Sequence, residues 1–169
     1  NLPSYEIFTN PNFRKTNGIV YSSKPLCCNG AIVTDFYLEF KDGKVINYDA
    51  KTGLKILKEI IESDAYSSYL GEVALVNYDS PISNTGVVYE ITIFDENAAC
   101  HLALGASFPE CIKDGPTMTK EELNKNKLND CTNHVDFMIG TEDLNIIGIT
   151  ENNEEIIIFE NGNFSEYFK

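Results

Sequence analysis

The chain has 169 residues, of which 43% are hydrophobic and 11% aromatic, a composition typical of one globular domain and not of a disordered chain. Acidic residues outnumber basic ones by 26 to 13, so we expect neither nucleic acid nor an anionic membrane as the main partner. No apolar run approaches the ~20 residues that span a bilayer, and no signal peptide is visible, so we expect a cytoplasmic location.

Five cysteines are present, an odd number that includes one adjacent pair and no C-x-x-C spacing. This pattern indicates neither a disulfide framework nor a zinc finger. We expect free and mostly buried thiols in a reducing compartment. The cysteines are Cys27, Cys28, Cys100, Cys111 and Cys131.

The first third of the chain predicts a hairpin followed by a helix. Residues 32–40 alternate in polarity with a period of two, and the turn sequence K-D-G-K leads into a second strand-like run at 45–48, which predicts a β-hairpin. Leucine and isoleucine recur at helical spacing after Thr52 and Gly53. A short amphipathic helix is therefore expected over residues 54–61.

The middle of the chain predicts two strands and then two helices. The β-rich runs at residues 72–78 and 87–94 are separated by turn-forming sequences. Small and apolar residues at 97–106 predict a buried helix. A capping box at residues 119–122 marks the start of another helix.

Strand patterns return at residues 135–139, 146–149 and 156–159. The whole pattern predicts a single α+β domain over residues 1–169. We expect a strand-rich mixed β-sheet or partial barrel with about three short helices.

Only two histidines occur, and each lies close to a carboxylate in an apolar stretch, which suggests a metal site. His134 and Asp136 are two residues apart, so on a strand their side chains point to the same face and could bind one ion or two adjacent ions. A core histidine hydrogen-bonded to a neighbouring acid is the alternative, and the H-x-D string alone favours it.

The contexts of the other candidate acids are ambiguous. Glu96 precedes His101 by five residues, which on an ideal helix places them about 140° apart, and Asp95 could simply cap that helix. Glu6 and Glu72 each stand in an apolar strand-like run. A buried charge there needs a partner or a metal, but a solvent-facing glutamate on an edge strand fits as well.

Five motifs follow one another along the chain: L-P-S-Y-E-I-F-T, Y-L-G-E-V-A-L-V, D-S-P-I-S, D-E-N-A-A-C-H-L-A-L-G and H-V-D-F-M-I-G. In this order they resemble the C-terminal catalytic half of the aminopeptidase T / aminopeptidase S / PepS family of metallo-aminopeptidases. The resemblance covers nearly the whole chain, and five ordered motifs are far more specific than any single one.

The resemblance implies a site for two divalent metal ions, for which zinc, cobalt or manganese suit the mixed nitrogen and oxygen donors. Glu72 matches the position that bridges both ions and is our candidate for moving a proton to the leaving amine, with Glu96 as the second candidate. The implied metal ligands are Glu6, Glu72, Glu96, His101, His134 and Asp136.

The implied function is a metal-dependent aminopeptidase domain that releases N-terminal amino acids from peptides through a metal-activated water. The implied assembly is a homodimer with an N-terminal domain that residues 1–169 lack, which agrees with the abrupt start of the chain. Two alternatives stay open: a non-catalytic metal-binding or dimerisation fragment that needs that domain for activity, and an acidic interaction module.

The chain departs from the family pattern at two positions. Tyr5 stands where the family usually has a second acid before its first ligand. Phe108 stands where a tyrosine is common in a G-x-x-Y-P string. If the tyrosine hydroxyl stabilises the tetrahedral intermediate, its loss costs on the order of 10²-fold in rate, without affecting metal binding.

Overall fold

The computed structural model describes residues 5–28 and 30–168 of the chain. In chain order the elements are β1 (Glu6–Thr9), β2 (Gly18–Tyr21), β3 (Leu26–Cys28), β4 (Ala31–Lys41), β5 (Lys44–Thr52), α1 (Leu54–Ile61), β6 (Leu70–Val76), α2 (Thr92–Asp95), β7 (His101–Gly105), α3 (Lys120–Lys125), β8 (His134–Met138), β9 (Ile146–Ile149), β10 (Glu155–Glu160) and β11 (Asn163–Phe164). Single turns of 3₁₀ helix lie at Ser83–Thr85, Glu96–Ala98, Pro109–Cys111, Gly115–Thr117 and Glu166–Phe168.

The expected strand-rich α+β domain with three short helices is confirmed. Within the described part of the chain every strand pair is antiparallel, and the strands form open sheets. One sheet has the order β1-β6-β7-β8, a second has β2-β4-β3 with β5 paired to β4, and a third has β11-β10-β9. Helix α1 begins and ends where the sequence pattern predicts.

The β1-β6-β7-β8 sheet, which we call the site sheet, places acidic and imidazole side chains on one face. Directly opposed residues of an antiparallel pair share a face, and Ala103 of β7 lies opposite Glu72 of β6 and Asp136 of β8. Ala74 of β6 lies opposite His101 of β7 in the same way. Both alanines are fully buried, and their small side chains leave room for the longer polar groups around them.

The other face of the site sheet packs against the hydrophobic core. Leu104 and Phe137 belong to one core cluster with the buried residues of β4 and α1. The rings of Phe36 and Phe137 lie 5.8 Å apart and join the two sheets. Because side chains alternate across a strand, burial of these apolar residues fixes the register that turns the polar residues to the opposite face.

The predicted helix over residues 97–106 is wrong. A single 3₁₀ turn at Glu96–Ala98 ends at Ala99, whose φ of −164° and ψ of 158° are extended, and β7 begins at His101. Strand β7 pairs with β6 on one side and β8 on the other. These pairings between distant segments outweigh the local preference of small residues for a helix.

The predicted strand over residues 87–94 is also wrong, because helix α2 occupies its second half. The carboxylate of Asp95 accepts hydrogen bonds from the backbone N–H groups of Tyr89 (2.8 Å) and Ile91 (3.2 Å). Asp95 therefore closes the loop before α2 and does not cap a following helix with its side chain. The capping box of α3 is present as predicted, with Thr119 and Glu122 bonded reciprocally.

Among the described residues the five cysteines are free, but only Cys100 is fully buried, so the expectation of mostly buried thiols is too strong. Cys100 lies beside the site sheet and its thiol donates to the carbonyl of Val76 at 3.3 Å. In the described part of the chain no helix has the length and hydropathy needed to span a membrane.

Gly71 tests the tight packing of the site sheet. A Cβ atom at Gly71 would lie 2.1 Å from the backbone oxygen of Ala106 and 2.3 Å from that of Gly105. We expect Gly71→Ala to lower the free energy of unfolding by about 1–3 kcal/mol or more through overpacking. Gly148→Ala is the matched control, because its Cβ would lie 3.0 Å from the flexible end of the Ile158 side chain and 3.7 Å, an ordinary contact distance, from the backbone oxygen of Ile156. Urea unfolding of both variants measures the difference, and equal midpoints would contradict it.

Candidate metal centre

The six ligand positions implied by the family resemblance come together on one face of the site sheet. Their nitrogen and oxygen atoms form three groups, and within each group the atoms lie within 4.8 Å of one another. The groups are Glu6, Glu72 and His101; Glu72, His134 and Asp136; and Glu96, His101 and Asp136. Glu72 and Asp136 each belong to the His134 group and to one of the two His101 groups, so these two carboxylates lie between the histidines.

Backbone hydrogen bonding fixes the orientation of the His101 ring. Its Nδ1 lies 3.0 Å from the carbonyl oxygen of Ala99, and because a carbonyl only accepts, Nδ1 carries a proton and donates it. The opposite nitrogen, Nε2, lies 3.2 Å from Oε2 of Glu6. The ring therefore presents Nε2 to the carboxylates, which is the arrangement of a metal-ligating histidine whose other nitrogen is held by the backbone.

The His134 ring is held in the same way from the other edge of the cluster. Its Nδ1 lies 2.7 Å from the carbonyl oxygen of Ala106. Its Nε2 lies 3.0 Å from Oε2 of Glu72 and 3.1 Å from Oδ1 of Asp136. Two imidazoles thus turn the same nitrogen towards a shared set of carboxylates.

The surroundings of the cluster raise the pKa values of His134 and Glu96 above their ordinary values. Burial lowers the pKa of His134, but the hydrogen bonds to Asp136 and Glu72 outweigh it and raise that pKa to about 10. Burial, followed by the carboxylates of Asp136 and Glu6, raises the pKa of Glu96 to about 7. Metal ions bind the deprotonated forms of such ligands and displace these protons.

Glu96 and His101 meet by a route that helical spacing could not predict. Glu96 belongs to the 3₁₀ turn and His101 to strand β7, and the chain becomes extended at Ala99 between them. The angle of about 140° expected on an ideal helix therefore does not apply. Both residues contribute to the same group with Asp136.

Sequence reasoning missed Asn97, which links two ligand-bearing segments. Its side chain is fully buried. Its Oδ1 accepts a hydrogen bond from the N–H of Tyr5 at 2.8 Å, and its Nδ2 donates to the carbonyl of Ile93 at 3.1 Å. The start of β1, which carries Glu6, is thereby held against the segment that carries Glu96. In the sequence, Asn97 is distinguished only by its position in the motif D-E-N-A-A-C-H-L-A-L-G.

A second missed residue, Asn10, fixes the backbone of Phe108. Asn10 Nδ2 donates to the carbonyl of Phe108 at 2.6 Å, and Asn10 Oδ1 accepts from the N–H of Phe108 at 2.8 Å. The Phe108 ring meets the ring of His134 edge-on, with centroids 4.8 Å apart. The departure from tyrosine at this position therefore lies within the site, whereas the backbone N–H of Tyr5 serves a structural role.

The clustered residues border an open cleft of about 340 Å³. The cleft is lined by Glu6, Phe8, Glu72, Glu96, Phe108, His134 and Asp136. Four carboxylates and two imidazoles form a mixed oxygen and nitrogen donor set that suits divalent cations such as zinc, cobalt or manganese. The donor set therefore fits a metal centre, and a formal charge of −4 with both imidazoles neutral would balance two divalent ions.

Comparison with known proteins also indicates a metal-dependent family. Residues 1–164 match the family described as thermophilic metalloprotease (M29). The chain is 46% identical over 165 residues to aminopeptidase 2 of Geobacillus stearothermophilus and 47% identical over 165 residues to aminopeptidase AmpS of Bacillus subtilis. These alignments cover 98% of the chain and 40% of each relative.

The fold agrees with that of a solved relative. Wild-type AmpT from Thermus thermophilus superposes with a TM-score of 0.91 at 35% sequence identity, over 97% of this chain and 40% of that one. The chain thus spans about 40% of the length of the relatives it matches. The match over residues 1–164 shows that the chain belongs to the M29 family of metalloproteases, whose members use divalent metal ions.

Proposed function

We propose that this chain is the metal-binding catalytic part of an aminopeptidase that releases N-terminal amino acids from peptides. The observation that carries the proposal is the convergence of four carboxylates and two imidazoles in one cluster, of which all but the fully buried His101 line one cleft. The aminopeptidase names of the relatives support it. The alternative of an acidic interaction module leaves the backbone-held histidines without a purpose.

The proposed metal ligands divide into two groups around the two histidines. Glu72 and Asp136 are the proposed shared ligands, because each belongs to groups on both sides of the cluster. The full set is Glu6, Glu72, Glu96, His101, His134 and Asp136. When bound, two divalent cations polarise a carbonyl and lower the pKa of water, which is the chemistry that peptide hydrolysis requires.

Glu72 is the proposed catalytic residue that carries a proton towards the leaving amine. Its side chain is buried on β6, it lines the cleft, and its Oε2 lies 3.0 Å from Nε2 of His134. A carboxylate that is both ligand and proton carrier must serve two roles, so Glu96, which lines the same cleft, is the second candidate.

The proposed metal centre also suits the substrate class. The four carboxylates would balance two divalent ions, so the loaded cleft would not attract a cation by net charge. A peptide with a free N-terminus offers its neutral amine nitrogen as a donor to a divalent ion that these ligands would hold. An N-blocked peptide lacks this donor and is not expected to bind productively.

We further propose that the full-length protein contains an additional N-terminal domain, forms a homodimer and is cytoplasmic. The chain covers only 40% of the length of each of the two relatives, which supports a longer full-length protein. The alternative function, a non-catalytic metal-binding or dimerisation fragment, is favoured by the same observation, because substrate positioning could depend on residues outside this chain.

Metal removal tests the site directly. Carboxylates clustered without cations repel one another, and a ligand at 100 times its Kd stabilises the folded state by about 2.7 kcal/mol. We expect zinc or cobalt to raise the Tm of this chain by roughly 5–10 °C relative to EDTA. Differential scanning calorimetry measures the shift.

Two glutamate substitutions, one at a proposed ligand and one at a control position, test whether the rise in Tm depends on the proposed site. Glu72→Gln should abolish the metal-induced rise in Tm, because it removes the charge of a proposed shared ligand. Glu121→Gln, which makes the same chemical change at an exposed position of α3, should leave the rise intact. A Tm that is identical in EDTA and in metal would contradict the proposed site.

His134→Ala tests the enzymatic proposal in the full-length protein. Loss of groups that merely orient metal ligands costs about 10–100-fold, so loss of a ligand should cost at least about 100-fold in kcat/KM. Hydrolysis of an aminoacyl-p-nitroanilide by the metal-loaded protein measures this, with the Tm in EDTA as the control for folding. Full activity of the variant would rule out His134 as an essential ligand.

The same assay separates the two candidate functions when the isolated chain is compared with the full-length protein. Correct positioning of reacting groups can supply roughly 7–11 kcal/mol of barrier reduction. If the isolated chain hydrolyses the substrate, the chain itself is catalytic. If the chain binds metal but hydrolyses no substrate while the full-length protein does, the alternative is correct, and this chain is a metal-binding fragment that needs the rest of the protein for activity. If neither hydrolyses peptides although both bind metal, the aminopeptidase proposal is wrong.

A further inference from the structure

We propose that Phe8 and Phe108 form an apolar wall in the metal cleft that receives the side chain of the first residue of the peptide. The inference rests on the proposed function and names its substrate class: peptides whose N-terminal residue is aromatic or a large aliphatic. Small or acidic first residues should be poorer substrates.

The two rings are the apolar part of an otherwise charged cleft. The other five described lining residues are four carboxylates and one imidazole. The Phe8 and Phe108 rings meet edge-on with centroids 5.3 Å apart. Phe8 remains 41% exposed, so it offers apolar surface that a substrate side chain could remove from water.

The position of Phe8 follows from the register of β1. Phe8 lies two residues after Glu6, so both side chains point to the same face of the strand. Phe8 lies opposite Ala74 of β6, whose small side chain does not cover the ring. The residue between them, Ile7, is 64% exposed and does not line the cleft.

Asn10 makes the wall rigid. The two hydrogen bonds between its amide and the backbone of Phe108 join the end of β1 to a segment 98 positions further along the chain. The Phe108 ring also contacts the ring of His134 edge-on, with centroids 4.8 Å apart. A wall that is fixed before binding spends little conformational entropy when a substrate is bound.

Charge and shape together indicate the preferred side chain. A peptide whose N-terminal amine lies at the proposed metal ligands has its first side chain within reach of the same small cleft. An apolar side chain gains contact with the rings, whereas a carboxylate would lose hydration against them, with no lysine or arginine among the described lining residues to pair with it. Glycine and alanine gain little because they have little apolar surface to bury.

The test compares substrates on the metal-loaded full-length protein. The measured quantity is the ratio of kcat/KM for phenylalanyl- over alanyl-p-nitroanilide. Phe8→Ser should lower this ratio roughly tenfold, the range expected when apolar contacts are lost from a specificity pocket. Phe8→Leu should keep most of it. Ile7→Ser, a change at the neighbouring exposed position of the same strand, should leave the ratio unchanged.

Asn10→Ala tests the positioning role separately. It should lower the same ratio while Phe8 is retained, and a purely structural role would instead reduce turnover of both substrates equally. Asn10→Asp keeps an acceptor for the Phe108 N–H and should retain part of the preference.

A binding readout keeps the wall testable without turnover. Calorimetry on the zinc-loaded protein should show phenylalaninamide binding roughly tenfold more tightly than glycinamide, and Phe8→Ser should remove the difference. If the protein hydrolyses no substrate, the proposed function is refuted. The affinities for the two amides would still show whether Phe8 and Phe108 form a binding wall. Equal affinities for the two amides, or a ratio of kcat/KM that Phe8→Ser leaves unchanged, would overturn it.

Discussion

The constraint on which this structure depends is the concentration of negative charge in one half-buried cleft. Four carboxylates that line one cleft are unfavourable in a protein interior unless cations or protons compensate them. The chain places two imidazoles among them. Burial lowers the pKa of His134, but the hydrogen bonds to Asp136 and Glu72 raise it to about 10. The proposed ligand set carries more negative charge than the two imidazoles can balance, and bound divalent ions would compensate the remainder.

The site sheet solves the geometric side of the same problem. Glu72, Ala103 and Asp136 form one row across three strands, so two carboxylates flank an alanine that leaves space between them. The backbone then supplies the remaining precision, because the carbonyls of Ala99 and Ala106 hold the Nδ1 atoms of the two histidines. The same strands that build the core on one face therefore orient the ligands on the other.

Local patterns allowed the simple elements to be predicted. The hairpin of β4 and β5 and the helix α1 depend on polarity alternation, a tight turn and helical spacing, all of which are visible within about 30 residues of sequence. The helix predicted over residues 97–106 was wrong because its small residues suit a helix as well as a central strand. Only the pairing of β7 with β6 and β8, which lie far away in sequence, decides between the two.

The site shows the same division. The ligand positions were identified because they belong to ordered motifs that resemble a known family, while each acid taken alone was ambiguous. The supports of the site were not predictable in this way. Asn97 acts on Tyr5 across 92 positions and Asn10 acts on Phe108 across 98, and a buried asparagine has no sequence pattern that reveals its distant partner. Ordered motifs thus locate the chemistry, and tertiary contacts determine how rigidly it is held.

The central claim is that one cleft holds two divalent ions through the Nε2 atoms of His101 and His134 and their shared carboxylates. Anomalous scattering from crystals grown with zinc, recorded on both sides of its absorption edge, tests it most directly. The account predicts two peaks roughly 3.5–4 Å apart. One peak should lie about 2.0–2.1 Å from Nε2 of His101, and the other should lie at the same distance from Nε2 of His134. A single peak, or peaks that contact neither nitrogen, would contradict it.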